Sequence, residues 1–421
     1  MTSTPGTPAP DHATVLVAGA GAVGLTAALV VARAGVPVTV LEAGSGLSTE
    51  SRASTFHPPS LEMLDDLGVL EPLMERGIVS TGFQYRDRRT GPIADLDLGV
   101  LAEDTRFPFR VQCEQSKLTP ILLEALQQLD HVTVHFDQRV VRAETTAESA
   151  TLTTEAGDVF TADWVLGADG SNSQVRQTAG FSFEGMTYPE RFLVASTTED
   201  LETILPGISA VNYVFDPTEW LVLLRTPEHW RILFPTDQDT PDEVEIDPAR
   251  IQERLAGVAD LGRAWDVLHT TLYRVHQRVA DTFRKDRLIL MGDAAHINNP
   301  LGGMGMNSGV HDAMLEALAL VGVLDGSASL DDLDEVCEAR RQVALSYVKT
   351  ITHDNWEKLR QDDPEAQRAY HDELRALASD TAKMRRHLLN TSMINSLRDG
   401  KVVDMVGVGA GAGAGAGGAS A

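Results

Sequence analysis

Residues 13–18 form a short apolar run, interrupted only by Thr14, that leads into a glycine, an Ala/Leu/Val-rich stretch occupies 23–34, and a second apolar run covers 37–41. A short apolar run suits a buried strand and a longer one behind glycine suits a helix, so the pattern predicts a strand–helix–strand unit. Leu61, Leu64, Leu67 and Leu70 keep helical spacing behind Pro58 and Pro59, and Leu118, Ile121, Leu122, Ala125 and Leu129 repeat it, so two amphipathic helices are expected. Between 132 and 164 the pattern shortens to alternation, with turn signals at Glu148-Ser149 and Gly157-Asp158. This predicts a small antiparallel ribbon inserted beside the parallel sheet. A buried strand is expected at 164–168, an antiparallel sheet from the β-rich runs at 211–215, 220–224 and 230–234, and a further strand at 287–291. Helical spacing dominates from 308 to about 398, and the Gly/Ala run after Val406 offers nothing bulky to bury, so 399–421 is expected to be a flexible tail.

A chain of 421 residues exceeds the length at which single cores stop growing, roughly 250–300 residues, so two connected domains are expected. Hydrophobic residues at 43% and charged residues at 23% match an ordinary globular protein, which sets aside disorder and fibrous folds. The net charge of −26 repels nucleic acid and anionic lipid, removing both as expected partners. Cys113 and Cys337 stand alone without CxxC or Cys/His spacing, so neither a disulfide framework nor a metal site is expected and a reducing cytoplasm fits. Residues 1–12 lack the features of a secretory signal, and no apolar run approaches the ~20 residues that cross a bilayer.

Three glycine-containing segments carry the chemistry. The first, Gly19-Ala20-Gly21-Ala22-Val23-Gly24, lies where a strand turns into a helix, and Glu42 ends the next strand roughly 20 residues on. Gly19 permits the turn, Gly21 lets backbone approach a pyrophosphate, and Gly24 allows close helix–strand packing. The helix N-terminus offers free N–H groups, and Glu42 can accept hydrogen bonds from a ribose. The motif points to a dinucleotide without separating FAD from NAD. The second segment runs from Gly167 through Asp169 to Arg176. The third runs from Gly292-Asp293-Ala294-Ala295-His296 to Pro300-Leu301-Gly302-Gly303-Met304-Gly305-Met306-Asn307.

These three segments, in this order, resemble the flavoprotein aromatic hydroxylases, the group A monooxygenases of the para-hydroxybenzoate hydroxylase type. Through its motif spacing the resemblance spans nearly the whole chain. It implies an α/β protein with a Rossmann-type FAD-binding domain, a mainly antiparallel substrate domain and C-terminal helices. The FAD-binding domain is expected from 13–80, 111–185 and 286–325, the substrate domain from 81–110 and 186–285, and the helical region from 326–398. The resemblance further implies that Gly19, Gly21, Ala22, Val23 and Gly24 meet the FAD pyrophosphate, and that Glu42 meets the adenosine ribose. Arg52 stands near the flavin, Gln115 at the ribityl chain, and Asp293, beside Gly292, at the ribityl chain and adjoining phosphate. By the same resemblance Gly303, Met304, Gly305, Met306 and Asn307 would border the flavin ring, and Pro300 would lie above it with its carbonyl towards substrate. Asp169 and Arg176 match the family motif that couples FAD binding to NAD(P)H use.

The implied reaction is hydroxylation of a small, electron-rich aromatic or N-heteroaromatic ring with NAD(P)H and dioxygen, through a flavin C4a-hydroperoxide and without a metal. The chain departs from common family wording at Met314-Leu315-Glu316-Ala317, and after the third segment it leaves no room for an added thioredoxin-like domain. A reductase or halogenase on the same fold and a non-catalytic FAD-binding redox sensor remain alternatives, although the halogenase tryptophan-rich motif is absent. Tyr213, Val222 and Arg225 are the substrate candidates, with Trp220, Leu224 and Phe234 beside them. Alternation puts Trp220, Val222 and Leu224 on one sheet face and Arg225 on the other. His296, and secondarily His57, are candidate proton relays. Asn307 is a candidate opener of the next helix, whose dipole would stabilise a reduced, anionic ring. A homodimer is left open.

Overall fold

The computed structural model describes residues 12–50, 53–361 and 363–398; Arg52 and the expected tail at 399–421 lie outside these residues. Two eight-stranded sheets and a three-stranded one organise the chain. In the first sheet the strands Leu288–Leu290, Val159–Gly167, His12–Ala18, Val38–Leu41 and Val132–His135 lie side by side and parallel. Helices cover both faces of such a sheet, which explains why 15–18 are fully buried and read as an unbroken apolar run. The helix Ala22–Arg33 crosses from the first of these strands in sequence to the second.

Three local expectations change. Val132–His135 is not part of the antiparallel ribbon but the parallel edge of the main sheet, where one solvated face produces the same alternation. The ribbon itself is Val140–Thr145 and Ala150–Thr154, joined to the start of a single strand, Val159–Gly167, that includes most of the run expected at 164–168. The leucine series from Leu61 to Leu70 divides into the helices Pro58–Asp66 and Leu70–Arg76. Gly68, at φ +55°, lies between them in the left-handed region that ends helices.

The second sheet runs in the order His296–Ile297, Val267–Ala280, Phe183–Thr197, Trp230–Asp237, Leu221–Arg225, Val211–Phe215, Gly82–Asp87, Gly91–Asp97. Only the pairing of Val211–Phe215 with Gly82–Asp87 is parallel. The strands separate two apolar layers. Phe83, Tyr85, Phe192, Tyr213, Val222 and Leu233 face the C-terminal helices, whereas Leu193, Leu221, Leu223, Ile232 and Phe234 pack with Ile251 and Leu255 of the helix Pro248–Val258. Strand Phe183–Thr197 begins before residue 186, and Arg284–Lys285 joins the first sheet. Among the described residues no helix is long and apolar enough to cross a membrane.

Candidate active site

Parallel strands put their C-terminal ends on one edge, and four neighbours deliver the three glycine segments and Glu42 there. Such an edge, outside the carboxyl ends of strands, is where open α/β sheets bind ligands. Gly19 has φ +102°, and a Cβ at this position would come within 2.5 Å of the Ala168 carbonyl oxygen. At Gly24 a Cβ would stand 2.0 Å from the Gly19 carbonyl, whereas at Gly21 it would meet nothing within 4 Å. The outer two glycines therefore serve packing, and the middle one opens onto free space. Helix Ala22–Arg33 begins there with no side-chain cap and no acid in its first turn, so its first amides remain for an anion. Glu42 is held at the loop, accepting the Ala20 N–H at 2.7 Å and the Gly44 N–H at 2.8 Å. Its remaining lone pairs suit ribose hydroxyls. These features fit a dinucleotide pyrophosphate.

The third segment is locked to the first through Val23. A Cβ on Gly292 or Gly309 would come within 2.9 Å or 2.6 Å of Val23 Cγ2, so only glycine lets helix Met304–Asp325 lie this close to helix Ala22–Arg33. The long helix starts at Met304 after Gly303, which has φ +67° and provides no side-chain cap. Asn307 thus sits one turn inside the helix rather than opening it. Its side-chain amide donates to the Thr55 and Gly303 carbonyls at 2.8 and 2.7 Å and accepts the His57 N–H at 2.8 Å. The buried side chains of Met304 and Met306 point into the apolar core, leaving only backbone groups of this turn for a ligand. The Pro300 carbonyl accepts the Gly303 N–H at 3.0 Å, closing a turn ahead of the helix. Gly305 lies against Asn298, Asp293 is exposed beside buried Gly292, and Gln115 is the first residue of helix Gln115–Gln127.

Asp169 and Arg176 do not pair with each other as a surface ion pair would. The Asp169 carboxylate accepts from Ser173 Oγ and from the Gln174 and Val175 amides, capping the short helix that follows. Arg176 donates to the Ala294 carbonyl at 2.9 Å and to the Ser171 carbonyl at 2.8 Å, and stacks 3.7 Å from the Phe183 ring centroid. It ties the second segment to the third.

His296 is bound into a buried network. It is 2% exposed and stacked on Phe283, and its Nε2 donates to Asp312 at 2.7 Å. Asp312 also accepts from Arg340 Nε at 2.7 Å and from the Gly292 amide at 3.2 Å. Burial alone would raise the Asp312 carboxyl, but the Arg340 guanidinium and His296 hold it well below the usual carboxylate range. Burial, reinforced by the Asp312 charge, lifts neighbouring Glu316 well above that range. His57 is better placed. Its Nε2 lies 2.9 Å from the Gly302 carbonyl, which can only accept, so Nε2 carries the proton and Nδ1 is an acceptor with no partner among the described residues. Burial, then the charge of Arg110, lower its pKa well below 6.5, keeping it neutral.

Tyr213 and Val222 lie on the sheet face towards the C-terminal helices, and the Tyr213 hydroxyl lies beside Gly302 and Arg110. Phe234 belongs to the opposite apolar layer. Arg225 is also on that far side as a substrate candidate. Its guanidinium is held by the Thr226 and His229 carbonyls and approaches Glu202, because residues two apart on Leu221–Arg225 share a face. Sequence reasoning missed Arg110, Asp312 and Arg340. Each sits in a run that reads as an ordinary strand or helix, and only contacts between distant segments single it out.

One consequence is a pH dependence of stability. Burial, then the Arg340 charge, push His311 down to about 3, while its Nε2 lies 3.1 Å from Ser60 Oγ. Unfolded histidine takes up a proton near pH 6.5 and the folded one does not. This contribution is therefore intact above about pH 6.5 and is lost as pH falls towards 3, amounting to about 2 kcal/mol at pH 5. Denaturant unfolding at pH 7.5 and pH 5 should show the difference shrink by about that amount in His311→Asn. An undiminished difference would exclude His311 as its source.

The FAD binding domain family matches residues 12–350. Para-nitrophenol 4-monooxygenase of Pseudomonas sp. strain WBC-3 is 35% identical over 392 residues, covering 91% of this chain and 96% of that protein. The 6-hydroxy-3-succinoylpyridine 3-monooxygenase of Pseudomonas putida strain DSM 28022 / S16 is 32% identical over 378 residues, covering 88% and 95%. The crystal structure of p-nitrophenol 4-monooxygenase from Pseudomonas putida DLL-E4 superposes with a TM-score of 0.86 at 33% identity, covering 92% of this chain and 98% of that one. The chain belongs to the group A flavoprotein aromatic hydroxylases and is an FAD-dependent aromatic monooxygenase that uses NAD(P)H.

Proposed function

We propose that this monooxygenase attacks the ring carbon para to the hydroxyl group of a substituted phenol or hydroxypyridine, with dioxygen as oxidant. The observation that carries this reading is what the two relatives matched over nearly their full length have in common. Position 4 of para-nitrophenol and position 3 of a 6-hydroxypyridine are both para to hydroxyl, and both carry the substituent. The ring is expected beside the Gly302 turn, against the aromatic face formed by Phe83, Tyr85 and Tyr213, where an apolar wall excludes water.

Bound FAD supplies the passage of electrons from NAD(P)H and the activation of dioxygen. The chain's own groups bind and orient. Gly19, Gly21, Ala22, Val23 and Gly24 offer backbone to the pyrophosphate, Glu42 accepts from the ribose, and Gln115 and Asp293 serve the ribityl chain. The backbone of 303–307 would hold the flavin ring, and Asp169 with Arg176 would hold the loop that couples NAD(P)H use to FAD binding. His57 Nδ1, without a hydrogen-bond partner among the described residues, can accept a hydrogen bond from a hydroxyl at this turn. Cys113 and Cys337 are free and buried, which suits a cytoplasmic setting.

The test is product analysis with 4-nitrophenol. Oxygen inserted at the nitro-bearing carbon releases nitrite and leaves benzoquinone, while the second oxygen atom becomes water. One NAD(P)H and one dioxygen are consumed for each nitrite formed from the neutral phenol, with one further proton when the phenolate is the form that enters. NAD(P)H oxidation coupled to nitrite supports the proposal. Oxidation that yields only peroxide from a panel of para-substituted phenols and hydroxypyridines would refute it.

A further inference from the structure

We propose that Arg110 selects the phenolate form of the substrate, its guanidinium donating to the anionic ring oxygen beside the Gly302 turn. The inference rests on the reading that the substrate is a phenol. Strand Arg110–Gln112 of the small three-stranded sheet carries this side chain into the interior, where it is 2% exposed. Among the described residues no carboxylate pairs with it. Nη2 donates to the Thr391 carbonyl at 3.3 Å, and Nε has no hydrogen-bond partner. Its charge lies 4.5 Å from the Phe83 ring centroid, with Tyr213 and Tyr85 beside it.

Aromatic faces offset a buried cation only in part, and a desolvated guanidinium without a counter-ion is strongly unfavourable. An anion arriving in this place removes that penalty and receives the unused Nε–H. The chemistry of the neighbours favours a phenolate. Burial and the Arg110 charge keep His57 neutral, so Arg110 is the cation at this place and the proton that a phenol loses on binding leaves to solvent. The Tyr213 hydroxyl, close to both Arg110 and the Gly302 backbone, can donate to the same oxygen. A phenolate also pushes electron density onto the para carbon, the position an electrophilic oxygen attacks. Anchoring the oxygen at Arg110 would thus fix both the reactive form and the carbon presented.

The FAD-bound enzyme is titrated with 4-nitrophenol at a pH where most of the free ligand is neutral, and difference spectra are recorded against unliganded enzyme. Only the phenolate absorbs strongly in the visible. Wild-type enzyme should bind it with the phenolate band. Arg110→Met should weaken binding at least tenfold and lose the band, and Arg110→Lys should restore part of both. 4-Nitroanisole, whose oxygen is methylated, should bind wild type and Arg110→Met alike. An Arg110→Met enzyme with wild-type FAD content, affinity and phenolate band overturns the proposal. An equal loss of 4-nitroanisole binding also overturns it, since Arg110 would then serve the nitro end or the scaffold. If Arg110→Met does not retain FAD, Arg110→Lys and Tyr213→Phe decide: a weakened phenolate band supports the proposal, and an unchanged band in both sinks it. Failure of wild type to bind 4-nitrophenol at all is a failure of the substrate reading, and this inference falls with it.

Discussion

Gly303→Val is expected to lower coupled hydroxylation about 100-fold or more, because a small misplacement of reacting groups is enough for a loss of that size. Two effects act together. The φ of +67° is one that a β-branched residue rarely adopts, and a Cβ would press to 3.3 Å from Thr55 Cβ and 3.6 Å from His57 Nε2. Strain in the left-handed region costs of the order of 1–3 kcal/mol, which a protein with a large core can survive. The turn cannot keep its shape, however, because Gly303 is bonded to Pro300 and Asn307 and so reaches both the proposed substrate side and strand Thr55–Phe56. The informative measurement is product formed per NAD(P)H oxidised, alongside FAD content. Gly303→Ala should fall between the two. Full coupled turnover in Gly303→Val would show that the turn does not border the reaction.

Asp312→Asn should destabilise the protein by about 3–5 kcal/mol, the range found when one member of a buried charge pair is removed. The substitution preserves shape but leaves the Arg340 guanidinium, 0% exposed, without its carboxylate. It also loosens His296 and the amide of Gly292, and with them the strand end that carries Asp293. FAD retention should therefore fall in parallel with stability. Replacing both partners, as Asp312→Leu with Arg340→Met, should cost less than the sum of the single changes, because no uncompensated charge remains between them. Urea unfolding of the four proteins measures this coupling. Additive losses would mean that the pair is not the source of the stability.

The cofactor half of this protein was legible in the chain because its determinants are local. A pyrophosphate loop needs glycines at fixed offsets between a strand and a helix, and Gly19, Gly21, Gly24 and Glu42 all lie within a few dozen residues. Buried parallel strands likewise announce themselves as apolar runs, as at 15–18 and 288–290. Edges and ends were less legible. Val132–His135 alternates like a ribbon strand because an edge strand has one wet face, and helix Met304–Asp325 begins three residues before Asn307 because left-handed Gly303 sets its start. The substrate half depended on contacts that no spacing encodes. Whether Tyr213 or Arg225 faces the Gly302 turn follows from which side of the second sheet the C-terminal helices pack, and those helices are more than a hundred residues away in sequence. Arg110 stands in an unremarkable strand, and only the folded chain places Phe83, Tyr213 and Thr391 around it with no paired carboxylate among the described residues. His296 reads as an unattached histidine beside a flavin segment, and only the folded chain ties its N–H to Asp312, which in turn accepts from Arg340 of the next helix. Local backbone requirements can be read from neighbouring letters, whereas the surroundings of a buried charge are set by distant segments that meet only in the folded chain.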